Sequence, residues 1–559
     1  MALVKYFLFS LLTAVLPATV VTFREVPPQE SGVTWVHDNA RSPQRYLPET
    51  EPPGVAIFDY NNDGLMDLLF VNSGEAPFFH PAKPRPYALY RNNGDGTFTD
   101  VTEKAGINPH LFGMGVAVGD YDGDGYQDVF ITGYGRSVLY HNNRDGTFTD
   151  VTAQSGINAP GWSTSAVWFD YNNDGKLDLF VCQFVEYSDL RICGVENSYG
   201  GKMEGASKDE AFYCYPKILP PTASHLYRND GNGHFTDVSV ETGISGSMGK
   251  GLGVVATDIN NDGYMDLLVT NDTVANFLFV NRGGKKFEEI GQAAGVAFSE
   301  DGVTRSGMGV DSADYDQDGR QDLFVANLDQ ELFALYRNLG DELFDDMSMR
   351  TGIAGATRLM SGWGLRFLDY DNDGLMDLIL SGGHPDDHID ERMRGVTFAE
   401  PLLLFHNDGK GKFTNVSKVS GAMFEKSYAA RGLAVGDLNN DGYPDVVVGI
   451  SGGAPLILYN NAESRNHWIG LHLTGTTSNP DAVGALLKWS VGGAVHSLFK
   501  RGGGSFMSSH DPREILGMGK ETHVDWVEIH WPKPSERVDR FTNLPLDKYS
   551  TIVEGKGIQ

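Results

Sequence analysis

DYDGDGYQDVFIT, residues 120–132, decides the fold. Its first nine residues follow D-x-[DN]-x-D-G-x-x-D, and four apolar-rich residues come directly after. The pattern occurs seven times, starting at Asp59, Asp120, Asp170, Asp258, Asp314, Asp369 and Asp437. The runs that follow (LLFV, VFIT, LFVC, LLVT, LFVA, LILS and VVVG) are short, β-branched or aromatic, and uninterrupted by charge. They read as buried strands rather than helices. Self-similarity on this scale marks a repeat architecture.

Working outward, an aromatic-x-Asn segment follows each loop, at Tyr90, Tyr140, Tyr227, Phe279, Tyr336, Phe405 and Tyr459. After six of these comes Phe-x-x-hydrophobic, at Phe98, Phe148, Phe235, Phe287, Phe344 and Phe413. The seventh lacks this partner, but Phe23-Arg-Glu-Val26 and Ser31-Gly-Val33 at the other end match the missing repeat end. Sequence repeats are therefore out of phase with structural ones. The expectation is an all-β seven-bladed β-propeller over residues 22–462, closed by an N-terminal strand, because closure leaves only short protected edges.

The loops carry the chemistry. Oxygen-bearing side chains stand at positions 1, 3, 5 and 9: Asp59, Asn61, Asp63 and Asp67; Asp120, Asp122, Asp124 and Asp128; Asp170, Asn172, Asp174 and Asp178; Asp258, Asn260, Asp262 and Asp266; Asp314, Asp316, Asp318 and Asp322; Asp369, Asp371, Asp373 and Asp377; Asp437, Asn439, Asp441 and Asp445. Glycine at position 6 permits the sharp turn that gathers these oxygens. Hard oxygen ligands in this number select Ca²⁺ over metals that prefer imidazole or thiolate. Up to seven Ca²⁺ are expected, mainly structural, since crowding 24 carboxylates without cations is repulsive. The closing carboxylate at position 9 rather than 12, followed by a strand, disfavours an EF-hand switch.

Composition sets the limits. The 559 residues carry 44 Lys/Arg against 74 Asp/Glu, a net charge of −30, which excludes a nucleic-acid phosphate binder. A hydrophobic content of 41% argues against a disordered acidic chain. Residues 1–21 read as a signal peptide, or alternatively an uncleaved anchor, so the protein is expected to be secreted, extracellular or periplasmic, with no further membrane domain. Residues 464–559 hold 11 Lys/Arg and 10 Asp/Glu and alternate well, as a small C-terminal β domain over 463–559. Two excursions interrupt the repeats, Val185 to Pro221 and Ser381 to Gly395. In an exported protein Cys193 and Cys214 suit a disulfide pinning the first excursion, while Cys182 reads as a buried hydrophobe.

The repeats resemble the FG-GAP/VCBS family, whose calcium loops also occur in integrin α-subunit propellers. The tail, with NHWIGLHLTG, NPDAVGALLKWSVGG, RGGGSFMSSHDPREILGMG and VDWVEIHWPKP, resembles an ASPIC/UnbV domain. The combination is similar to that of bacterial relatives of cartilage acidic protein. The resemblance implies an exported calcium-binding module of binding or adhesive type, with an extracellular protein or glycan as partner. It offers no catalytic motif. The chain is also similar to proteins linked to enediyne biosynthesis clusters, and the alternative is an enzyme, related to secondary metabolism, with its site on a propeller face, using His384, Asp386, Asp387, His388 and Asp390, where two imidazoles and three carboxylates share one loop. The plainer reading of that loop is a solvated surface, and Trp162, Trp168 and Trp363 read as core or rim aromatics.

Overall fold

The computed structural model describes residues 22–81, 87–199, 210–462 and 464–559. The segment read as signal peptide or anchor lies outside the described residues. The rest is all-β and propeller-like. Each acidic loop links the first and second strands of a four-stranded antiparallel unit. In the first unit the strands are Val55–Phe58, Asp67–Phe70, Ala88–Asn92 and Phe98–Asp100, paired in that order. The first strands of the next five units are Phe112–Gly119, Gly161–Phe169, Gly251–Thr257, Val310–Ala313 and Gly362–Leu368. In the seventh unit Ala430–Gly436, Asp445–Ile450 and Leu456–Asn461 take their fourth strand from the other end of the chain, Thr22–Glu25. Its register runs from Thr22 opposite Asn461 to Glu25 opposite Leu458.

The apolar runs after the loops are the second strands, and every residue of Asp67–Phe70, Asp266–Asn271 and Asp377–Gly382 is buried. Strands covered on both faces lose the alternation of half-buried ones, which is why the sequence shows unbroken runs. First strands neighbour one another in chain order, and that of the seventh unit lies beside that of the first. The second and third units are joined where Gly161 and Trp162 pair with Gly135 and Tyr134.

One alignment read from sequence is shifted. Asn460, not Asn461, occupies the place of Asn92, because Leu458 lies opposite Val446 as Tyr90 lies opposite Leu68. Tyr459 therefore stands at the middle position of its triplet, and the seventh triplet begins with a leucine.

The C-terminal domain consists of two four-stranded sheets. One contains His467–Thr474 between Glu514–Gly519 and a parallel neighbour, Tyr549–Val553; the other contains Leu486–Val491 and Trp526–His530 at its centre. Ile469, Leu471, Leu487, Trp489, Leu516, Val527, Ile529 and Ile552 fill the space between them.

From this domain residues 501–511 enter the axis of the repeats. Gly502 and Gly503 pair with Ala256 and Val255. Ser509 exchanges backbone bonds with Val55 and Ile57, and Ser505 with Val310; the Val116 N–H donates to Met507 O and the Asp511 N–H to Val435 O. The Leu365 N–H donates to Ser505 Oγ, and the Met507 N–H to Ser165 Oγ. All seven units thus contact one eleven-residue segment. Phe506 and Met507, both fully buried, pack with Met114, Trp162, Leu252, Met308 and Trp363. The axis is packed rather than open.

Candidate metal sites

The seven loops share one backbone solution. Position 6 is glycine at φ between 78° and 90° in all seven. Position 4 is left-handed too, at Asn62, Gly123, Asn173, Asn261, Gln317, Asn372 and Asn440. Asparagine and glycine dominate there because they tolerate that conformation best. The position 1 carboxylate accepts from the N–H groups of positions 5 and 6, as Asp59 does from Asp63 and Gly64, and Asp437 from Asp441 and Gly442. The position 9 carboxylate reaches across to the third strand, where Asp67 Oδ1 accepts from the Asn92 N–H at 2.7 Å.

That asparagine explains the aromatic-x-Asn segments. Its Nδ2 donates within its own unit and also to a carbonyl of the preceding unit's loop. Asn142 reaches Tyr60 O, Asn229 reaches Tyr121 O, and the series continues through Asn281, Asn338 and Asn407 to Asn460 on Tyr370 O. Asn92 of the first unit bonds Leu438 O of the seventh, 2.7 Å away. Position 4 side chains work in the other direction, with Asn62 on Gly125 O and Asn440 on Gly64 O.

The carboxylates crowd. Oxygens of Asp120, Asp122 and Asp124 lie within 4.8 Å of one another, as do those of Asp314, Asp316 and Asp322 and of Asp369, Asp371 and Asp373. Burial pushes Asp67, Asp120 and Asp377 up to about 8, and Asp128 and Asp170 to about 7. Asp369 is held well above the usual range by burial and then by Asp373 and Asp371. Buried Asp316 Oδ1, Asp371 Oδ1 and Asp377 Oδ2 have no hydrogen-bond partner among the described residues. Clustered hard donors with unused oxygens fit a divalent cation.

The loops are not equivalent. His141 lies 3.2 Å from Asp128, and His406 3.2 Å from Asp377, a contact that pushes His406 up to about 9. In the fifth loop Arg337 sits 2.6 Å from Asp316. These basic residues share the middle position of the aromatic-x-Asn triplet, a role that sequence reasoning missed although the residue types were in view.

The C-terminal domain roofs most of the loop face. The Asp120 N–H donates to Asp481, Ser497 Oγ to Asp314 Oδ2, Lys533 Nζ to Asp262 O, and Tyr549 OH to Asp437 Oδ2 at 2.8 Å. A Cβ on Gly517 would lie 2.0 Å from Asp369 Oδ2, and one on Gly442 would strike the Trp468 ring.

The opposite end of the axis holds the histidine loop, and its residues do not converge on one point. His384 Nε2 faces Asp329 at 3.3 Å, Asp386 pairs with Arg392, Asp387 pairs with Arg41 and Arg45, and His388 Nε2 lies 2.6 Å from Arg45. The Phe398 N–H donates to Asp390. This set ties the second excursion to residues 41–45 and to the first excursion, where Arg392 reaches Ser198 and stacks over Phe212. Cys193 and Cys214 are bonded to each other, and Cys182 is free and buried. Trp162, Trp168 and Trp363 are buried as core residues. The described residues of the two excursions thus pack together as one cap over the axis.

Taken together, the fold and its loops define an all-β repeat protein in which each repeat places an acidic turn on one face. The FG-GAP-like repeat family model matches residues 59–131, 120–181, 218–269, 258–325, 314–380 and 396–448, more than half the chain, and the ASPIC and UnbV model matches 475–559. The chain belongs to the FG-GAP-like repeat family and carries an ASPIC and UnbV domain. It is 26% identical over 332 residues to cartilage acidic protein 1 of Xenopus tropicalis, covering 56% of this chain and 46% of that one. To the Mus musculus protein of the same name it is 25% identical over 374 residues, covering 65% and 51%. The chain thus spans about half the length of these relatives. Among solved structures, a lectin from Burkholderia pseudomallei matches at 11% identity and TM-score 0.43, over 74% of this chain and 97% of that one. A lectin from Agrocybe aegerita matches at 15% and 0.39, over 73% and 94%. No helix among the described residues is long and apolar enough to cross a membrane.

Proposed function

We propose that the protein is an exported, calcium-loaded binding module: a closed seven-bladed propeller whose turns are set by Ca²⁺ and whose capped face recognises an extracellular protein or glycan. The observation that carries this reading is the sevenfold recurrence of one loop geometry, with carboxylates pressed together in the second, fifth and sixth loops and buried oxygens left unused in the fifth and sixth. Closure is supported by the pairing of Thr22–Glu25 with Leu456–Asn461 and by Asn92 on Leu438 O. Positions 1, 3, 5 and 9 would hold the cation, with the position 7 carbonyl. The ion would add positive charge to the little that His141, Arg337 and His406 bring to three of the loops. A fixed, shape-stable surface follows, and the recognising face is the assembled cap of the two excursions. The enzymatic alternative has less support, because His384, Asp386, Asp387 and His388 are engaged in pairs and the axis beneath them is filled.

The test is a thermal melt of the purified full chain with calcium, with excess EDTA, and with calcium restored. At a hundredfold excess over Kd each site contributes about 2.7 kcal/mol, so several sites give a large, reversible fall in Tm. An unchanged melt would remove calcium from the account. Capture from an extracellular fraction, run in millimolar calcium with and without Arg191 and Ile192, two exposed residues of the first excursion, exchanged for Ala, then addresses the partner.

A further inference from the structure

We infer that cation loading of the loops and seating of the C-terminal domain are one coupled equilibrium, each strengthening the other. This rests on the calcium reading above. The interface is built on the loops themselves, not beside them. Tyr549 OH donates to Asp437 Oδ2, Ser497 Oγ to Asp314 Oδ2, and the backbone of Gly517 abuts Asp369 Oδ2, so three position 1 carboxylates contact the roof directly. Backbone contacts add to this: Asn466 Nδ2 donates to Asp371 O, the Gly519 N–H to Asn372 O, and Arg513 to Asp437 O and Asn440 Oδ1. The roof can fit only when those turns hold the described shape.

Charge gives the coupling its sign. The sixth loop places Asp369, Asp371, Asp373 and Asp377 under the roof, with Asp369 and Asp377 buried. The domain above sets Lys520 near Asp371 and Arg513 on Asp437 O, yet across residues 464–559 its 11 Lys/Arg are offset by 10 Asp/Glu. Without a cation, whatever charge these carboxylates carry is excluded from water, and the structure lowers that cost by opening the roof to solvent. With a cation, the same roof excludes competing water and holds the carboxylates in register. Because residues 501–511 belong to the same domain, a change at the loop face is felt at Phe506 along the axis. Binding linkage requires reciprocity: whatever calcium does for seating, seating does for calcium affinity.

The experiment uses the full chain and reads calcium binding and seating separately. Calcium binding is followed by calorimetry, and seating by the rate of limited proteolysis at the connection between Asn461 and Asn466. Cleavage should rise at least tenfold in EGTA and fall again with calcium. Phe506→Leu, which loosens the domain without touching a loop, should weaken calcium binding several-fold at a subset of sites. Tyr549→Phe should do so to a smaller degree. Calcium binding with unchanged cleavage in EGTA and unchanged affinity in both variants would overturn the coupling and leave the calcium reading intact. Absence of calcium binding would overturn both.

Discussion

The loops starting at Asp59 and Asp369 have nearly the same sequence, DYNNDGLMD and DYDNDGLMD, and nearly the same backbone, yet they live in different media. In the first, Asn62, Asp63 and Gly64 are exposed to water. In the second, Asp369, Asn372 and Gly374 are buried beneath Gly517 and His496. The comparison teaches that a ligand motif fixes the shape of a turn, whereas the energy of its charges is set by what covers it. An open loop can shed repulsion into solvent. A roofed loop must take up a proton, hold a cation or lift its cover.

The largest expected effect comes from withdrawing the support of the roof. Phe506→Ala removes a fully buried ring that meets Trp363 at 4.8 Å, and it should cost about 3–5 kcal/mol in denaturant-induced unfolding. A loss below 1 kcal/mol would mean that the axial segment does not anchor the domain. Next, Asp369→Asn should destabilise the calcium-loaded protein by about 1 kcal/mol more than Asp59→Asn, whose own cost is about 2–3 kcal/mol. Equal losses would erase the distinction between the roofed and open loops.

The pH response marks where the two loops are alike, since the closing carboxylate is buried in both. In metal-free protein Asp377 and Asp67, raised by burial to about 8, bind protons more tightly folded than unfolded. Their contribution is fully present below the unfolded value near 4 and is lost as pH rises through 8, by up to about 1.4 kcal/mol per pH unit for each carboxyl. Tm in EDTA should therefore rise on acidification from pH 8 to 5. Calcium held as proposed would bind the ionised form and flatten or reverse that slope. Tyr549→Phe deletes one hydrogen bond to Asp437 and should cost about 1.5–3 kcal/mol if that carboxylate is ionised and about 1 kcal/mol if it is protonated. Measuring it with and without calcium reports which form the roof prefers.

Much of this was legible in the residues. The nine-residue loops, the buried second strands and the out-of-phase repeat end are visible because each depends on local turn chemistry or on strand composition. The triplet at Tyr459 misled because an aromatic next to two asparagines permits two registers, and only pairing with Val446–Val448 chooses one. The axial segment was not read from RGGGSFMSSHDPR, since long-range packing leaves no periodicity. A trace of it does exist in the repeats. Five residues before each loop stands Gly54, Gly115, Ser165, Gly253, Gly309, Gly364 or Gly432. A Cβ at Gly115 would lie 2.8 Å from Met507, and one at Gly432 2.4 Å from Ser508 Oγ. Gly54 likewise meets Met507 O, whereas Gly253, Gly309 and Gly364 face the backbone of the adjoining repeat, so the small residues mark close approach by the axial segment at some units and by the neighbouring unit at others. The histidine loop was legible in composition but not in role, because Arg41, Arg45, Asp329 and Arg392 come from distant or unpatterned positions.

The strand Thr22–Glu25 has a consequence for how the molecule is made. Its partner Leu456–Asn461 lies about 430 residues further on, so at ribosomal rates the first strand to emerge waits about 20–90 s for its place. During that time the early repeats can fold one after another, while the final edge stays open. Removing residues 22–25 and removing residues 456–461 would then produce the same defect, an unlatched molecule with a bare strand at one seam.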